Sequence, residues 1–120
     1  MHDDVAALVG YVAARLITGK VASAVYDYDL GQYRSISGEV TSTTVNVYDY
    51  DTGCYFGGSG SRPNLSLYHY GRGHHVALKI AGDRFEGYDY GTSSHFSGTV
   101  SGSSISLYDY GRGSYRNYAI

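Results

Sequence analysis

The tripeptide Tyr-Asp-Tyr stands at residues 26–28, 48–50, 88–90 and 108–110, and Tyr-His-Tyr takes its place at 68–70. Successive markers lie 22, 20, 20 and 20 residues apart, so most of the chain is five copies of one unit. A period this short confines each unit to one supersecondary element, which cannot bury an apolar face alone and must stack against its neighbours.

The turn signals identify that element as a β-hairpin. After the markers come Asp29-Leu30-Gly31, Asp51-Thr52-Gly53, Gly71-Arg72-Gly73, Gly91-Thr92-Ser93 and Gly111-Arg112-Gly113. These suit three-residue loops whose last position is left-handed, with Ser93 as the exception. About ten residues further on, Gly82-Asp83 and Gly102-Ser103 fit two-residue turns, and Arg62-Pro63 fills that place in the second unit. The first unit is two residues longer. Strand side chains alternate with period two, so an even insertion keeps every later residue on its proper face.

Ahead of the repeats, Asp3 or Asp4 is expected to cap a helix from about Val5 to Thr18, closed by Gly19. The segment Val5–Ile17 is apolar nearly all round, which calls for a buried berth. It is shorter than the ~20 residues of a membrane span, and Arg15 interrupts it. With 120 residues the expectation is one domain over 1–120, comprising the helix within 1–19 and five hairpins within 20–120. The fold class is therefore all-β with one N-terminal helix. Five tandem hairpins, about ten strands in an up-and-down meander, should form a closed or shallow barrel around or beside that helix.

Tandem units of the form Ser-Leu-Tyr-Asp-Tyr-Gly-Arg-Gly-Ser-Tyr (residues 106–115) resemble the bacterial β-flower proteins, which are themselves similar to the tubby-like barrel that encloses a helix. The resemblance covers residues 20–120 in pattern, with five units here where that family suggests about four. It implies the barrel and a lipid or membrane link, and it supplies no catalytic residues.

Three-residue loops would pair Asp49 with Tyr55, Tyr48 with Phe56, Asp109 with Tyr115, Asp89 with His95 and His69 with His75. One face would then carry the tyrosine ladder together with Phe56, Val76, Phe96 and Tyr118. The other would carry Val45, Val47, Leu65, Leu67, Ile105 and Leu107. Both would be substantially apolar, and closure would bury one of them. Alternation alone leaves either face free to turn inward. Small residues at Gly57, Ala77, Ser97 and Ala119 favour the aliphatic face against the helix, with the tyrosines outside.

Composition narrows function by exclusion. A net charge of −2 provides no basic stripe for nucleic acid, and no cofactor motif is present. Cys54 stands alone, so no intrachain disulfide forms. The acidic start and the absence of a recognised signal or transmembrane segment point to a cytoplasmic protein. His69, His74 and His75 are the metal candidates, since cross-strand imidazoles can chelate. A drifted repeat is the competing reading of His69, and it expects His69→Asp to match or slightly exceed the parent in stability. Asp89 with His95 is a carboxylate–imidazole candidate, but no nucleophile turn or phosphate loop accompanies it, and recurrence from unit to unit argues against an enzyme.

The leading expectation is a non-enzymatic binding module. It would present Tyr48, Tyr50, Tyr68, Tyr70, Tyr88, Tyr90, Tyr108 and Tyr110, with Arg72 and Arg112 at the loop tips, to an amphipathic ligand, a lipid surface or a protein. The alternative is a structural protein whose two-sided hairpins complete their burial in a homo-oligomer or fibre.

Overall fold

Every unit folds as a β-hairpin. The computed structural model describes all residues, Met1–Ile120. Helix α1 (Asp3–Thr18) is followed by β1 (Ala24–Asp27), β2 (Gln32–Val40), β3 (Thr44–Asp49), β4 (Cys54–Ser61) and β5 (Asn64–His69). The second half contributes β6 (His74–Ala81), β7 (Arg84–Asp89), β8 (Ser94–Ser101), β9 (Ser104–Asp109) and β10 (Ser114–Ala119). All neighbours pair antiparallel, and β1 meets β10 through Tyr26 opposite Ala119 and Asp27 opposite Tyr118. The sheet is a closed barrel of ten strands with no free edge.

The helix occupies the interior, with its residues from Asp4 to Ala14 all buried. That accounts for a segment with no polar face: its solvent is the inner wall of the barrel. Gly10 lets the helix approach closely, since a Cβ there would stand 3.3 Å from the Tyr118 ring and 3.4 Å from Ile105. Gly19 closes the helix in the left-handed conformation, donating its N–H to the Arg15 carbonyl at 2.9 Å. At the other end His2 is the N-cap and makes no side-chain cap bond. Asp3 and Asp4 lie inside the first turn instead, where negative charge still opposes the helix dipole favourably.

The register departs by one residue from a three-residue loop. Asp49 pairs with Cys54, Tyr48 with Tyr55 and Val47 with Phe56, so the loops hold four residues, Tyr50–Gly53 in this unit. The last of the four is left-handed as expected: φ is 70° at Gly53 and 54° at Ser93. This one-residue step returns Phe56, Val76, Phe96 and Tyr118 to the inner face, where all are buried beside Val47, Leu67 and Leu107. Gly57, Ala77 and Ser97 pair with Tyr68, Tyr88 and Tyr108 on the outer face, and Ala119 with Tyr26. Room inside comes from other glycines: the Phe96 ring lies against Gly87 and the Phe85 ring against Gly98.

The longer first unit shapes the barrel. His69 lies level with Phe56, two residues along from the Cys54 end of β4, and the next hairpins repeat that step. Around the first hairpin the step doubles, with Asp49 level with Ile36 and Asp27 level with Tyr118. The extra pair is absorbed in the nine-residue β2. Greater stagger means greater strand tilt and a wider barrel, which makes space for a helix.

Candidate functional site

At the end of the barrel where the helix begins, the middle residue of each marker is the last rung of its ladder and points inward. Asp27, Asp49, Asp89 and Asp109 are all buried. Each Oδ1 accepts the backbone N–H two residues on: Asp29 at 2.9 Å, Asp51 at 3.0 Å, Gly91 at 2.9 Å and Gly111 at 3.0 Å. The backbone carbonyls of Asp49 and Asp109 accept the N–H of Gly53 and Gly113 at 2.8 and 2.7 Å. The recurring aspartate thus ties its own loop shut, a local role that Asp fills readily.

Two of the four buried carboxylates are paired with arginines from elsewhere in the barrel. Arg34 Nη1 reaches Asp49 at 3.0 Å, and Arg116 Nε reaches Asp109 at 3.2 Å. The amino group of Met1 also lies 3.2 Å from Asp109. Burial alone would raise the Asp109 carboxyl, but these two cations hold it below the usual carboxylate range. His74 Nδ1 is 3.4 Å from Asp89.

The third hairpin shows why one marker carries histidine. His69 Nδ1 accepts the Arg72 N–H at 3.0 Å, doing the work of an aspartate oxygen. Its Nε2 lies 3.4 Å from Asp4, a carboxylate supplied by the helix. Arg72 grips Asp4 from the other side through Nε and Nη2, at 3.1 and 2.9 Å. Burial pushes the Asp4 carboxyl up, yet the His69 contact and the hydrogen bonds and charge of the Arg72 guanidinium hold it well below the usual range. A fifth aspartate here would face Asp4, so the exchange is an electrostatic requirement of docking the helix. This contact argues against the expectation that His69→Asp is harmless.

The three metal candidates do not converge. His69 and His74 stack inside with centroids 6.1 Å apart, whereas His75 packs on Tyr68 outside at 4.8 Å. No trio of His, Cys, Asp or Glu side chains is placed to hold a metal ion. Asp89 and His95 are likewise separated by the sheet, with Asp89 inside and His95 against the Tyr88 ring outside. The loop arginines are engaged: Arg72 by Asp4, and Arg112 by Asp29 at 2.8 Å.

Outside, the tyrosines form a belt of five aromatic triads at the same end. Tyr48 packs edge to face with Tyr50 at 4.9 Å and with Tyr55 at 4.8 Å. Tyr26 and Tyr108 repeat the arrangement with tyrosines on both sides, and Tyr68 and Tyr88 have His75 and His95 as one flank. The central rings are half-buried, while the flanking ones range from 53% exposed at Tyr55 to 71% at Tyr33. The belt is pinned from below, because Tyr50, Tyr70, Tyr90 and Tyr110 donate backbone N–H groups to the preceding hairpin at 3.0–3.1 Å. The Tyr50 hydroxyl meets Ser37 Oγ at 3.1 Å.

Over β5–β8 the belt borders an open groove of about 620 Å³. Ala77 and Ser97 form its floor, Tyr88, His95 and Tyr110 flank it, and Lys79 and Glu86 stand 3.9 Å apart at its far side. A second groove of about 500 Å³ continues past that pair to Arg84, Tyr108 and Tyr115. The ion pair escaped the sequence reading although it left a trace there: the equivalent positions hold Glu39, Ser59, Thr99 and Ala119 where Lys79 stands, and Asn46, Ser66 and Ser106 where Glu86 stands, so no other hairpin pairs a cation with an anion at this place.

No helix is long and apolar enough to cross a membrane. Compared with known proteins, the chain matches no family model, no curated protein and no solved structure.

Proposed function

We propose that this protein is a non-enzymatic binding module whose working surface is the tyrosine belt. The observation that carries the reading is the belt itself: repeated aromatic triads, more than half exposed at their flanks, held on a sheet whose other face is fully occupied. Tyrosine offers a broad amphipathic surface with only two torsions to immobilise, so a prearranged belt loses little entropy on contact with a ligand. The loop arginines serve this surface by bracing the barrel end beneath it.

Closure weighs against self-association as the primary role. The hairpins complete their inner burial around the helix of the same chain, and no strand edge is left to template a fibre. Light scattering across dilution tests the choice. A constant mass near 13.0 kDa is expected for the parent and for a variant with Tyr50, Tyr70, Tyr90 and Tyr110 changed to Ser. A parent that assembles with concentration, and a variant that does not, would transfer the belt to the structural reading.

A further inference from the structure

We infer that the groove over β5–β8, beside Tyr110, is a binding site for a neutral carbohydrate; this rests on the belt being a binding surface and names the chemistry of its ligand. The first ground is singularity. The barrel repeats one unit five times, and a specific site is to be sought where the repetition breaks on the outside. That break is Lys79 with Glu86: the equivalent pairs between hairpins are Glu39 with Asn46, Ser59 with Ser66 and Thr99 with Ser106, so only here do two opposite charges stand side by side.

The second ground is the combination of surfaces. Tyr88 and Tyr110 offer aromatic area beside a floor of Ala77 and Ser97, and Lys79 and Glu86 close the groove with one donor group and one acceptor group. A sugar ring has an apolar C–H face suited to an aromatic ring and an edge of hydroxyls that each donate and accept. The adjoining cation and anion can serve both halves of that edge. Because the pair is mutually neutralising, it selects for no net charge on the ligand. The groove volume lies in the ordinary range for small-ligand sites, and the second groove prolongs it for further sugar units.

The third ground is what the surface does not offer other ligands. An extended peptide cannot add as a strand, because the barrel has no free edge. Lipid chains would require an apolar band, whereas the outer face below the belt carries Asn46, Ser59, Ser66, Glu86, Thr99 and Ser106.

The test titrates the isotope-labelled chain with neutral cello-, malto-, manno- and chito-oligosaccharides and, separately, with phosphatidylcholine vesicles, following backbone amide shifts. At least one oligosaccharide series should move Ala77, Glu86 and Ser97. Tyr110→Ala and Glu86→Ala should each weaken that binding about tenfold. Both side chains are exposed, so the melting temperature should hold, and Tyr110→Phe should retain most of the affinity. Tyr33→Ala, on the opposite side of the barrel, should leave binding intact. Vesicle binding through the belt with no sugar binding would overturn the carbohydrate assignment and leave the belt reading standing. Absence of both would overturn the two together. Sugar binding weakened as much by Tyr33→Ala as by Tyr110→Ala would refute the location.

Discussion

Changing His69 to Asp restores the residue that four of the five hairpins use, and the structure makes it a damaging substitution. The introduced carboxylate can still accept the Arg72 N–H, so the loop keeps its tie. What changes is the environment of Asp4, now 3.4 Å from an imidazole nitrogen and afterwards facing a second anion. Aspartate is shorter than histidine, so the two carboxylates would stand ~5 Å apart, where an effective dielectric of about 20 gives ~3 kcal/mol of repulsion. Arg72 offsets part of this, and the lost His69 contact adds to it, for a net destabilisation of about 2–4 kcal/mol. For a domain of this length that lowers the melting temperature by about 8–16 °C.

The pH dependence carries the diagnosis. In the parent, the depressed Asp4 carboxyl contributes stability that is complete above the ordinary carboxylate range and is lost as pH falls through its lower folded value. In the variant, protonating either carboxyl relieves repulsion, so the deficit should shrink on acidification from neutrality toward the carboxylate range. Thermal unfolding by circular dichroism at several pH values reads both effects. Adding Asp4→Asn should recover much of the loss, and His69→Asn, which can accept from Arg72 and donate to Asp4, should stay near the parent. A His69→Asp chain as stable as the parent at neutral pH and low salt would refute the reasoning.

Arg34→Met strips buried Asp49 of its nearest cation and should cost about 3–5 kcal/mol in denaturant unfolding, much of it regained when Asp49→Asn is added. Leu8→Asp or Val12→Asp places an unpaired charge inside the barrel, and each should abolish cooperative unfolding and expose dye-binding apolar surface. Deleting residues 114–120 removes β10 and leaves β1 and β9 as open edges, so the truncated chain should aggregate in light scattering; a folded monomer would contradict the closed ladder.

Much of this architecture could be read from the chain because repetition multiplies weak signals. A single Asp-Thr-Gly suggests a turn; five such loops at one period set the hairpin count, and the all-round apolar Val5–Ile17 then needs the interior those hairpins enclose. The register slipped by one because glycine marks where a loop ends and says nothing of where it starts. Asp49 decides that, by spending its carboxylate on the Asp51 N–H and its carbonyl on Gly53. A check lay in the sequence: moving one residue unites Phe56, Val76 and Phe96 with Val47 and Leu67 and removes the paradox of a sheet apolar on both sides.

The belt was legible for the same reason as the hairpins. The fate of the arginines was not, since Arg72 meets a residue 68 positions away on the helix and Arg112 meets the first hairpin across the closure. Nor was the separation of His69 from His75, which follows from the register alone.

A ring of repeats differs in kind from a row of them. In an open array the end units fray first, and stability is close to a sum of local terms. Here nine of the ten strand pairings join segments adjacent in the chain, which form on the hairpin timescale of ~1–10 μs, and one, β1 with β10, spans nearly its whole length. That last pairing has the largest sequence separation of the ten, so it raises the contact order and closes against the greatest loop entropy. It also abolishes terminal units: the first and fifth hairpins are each other's neighbours, and the helix, synthesised before any of them, has no apolar shelter until the five have gathered round it. The chain is thus built to unfold as a whole, with every hairpin answerable for the one across the seam.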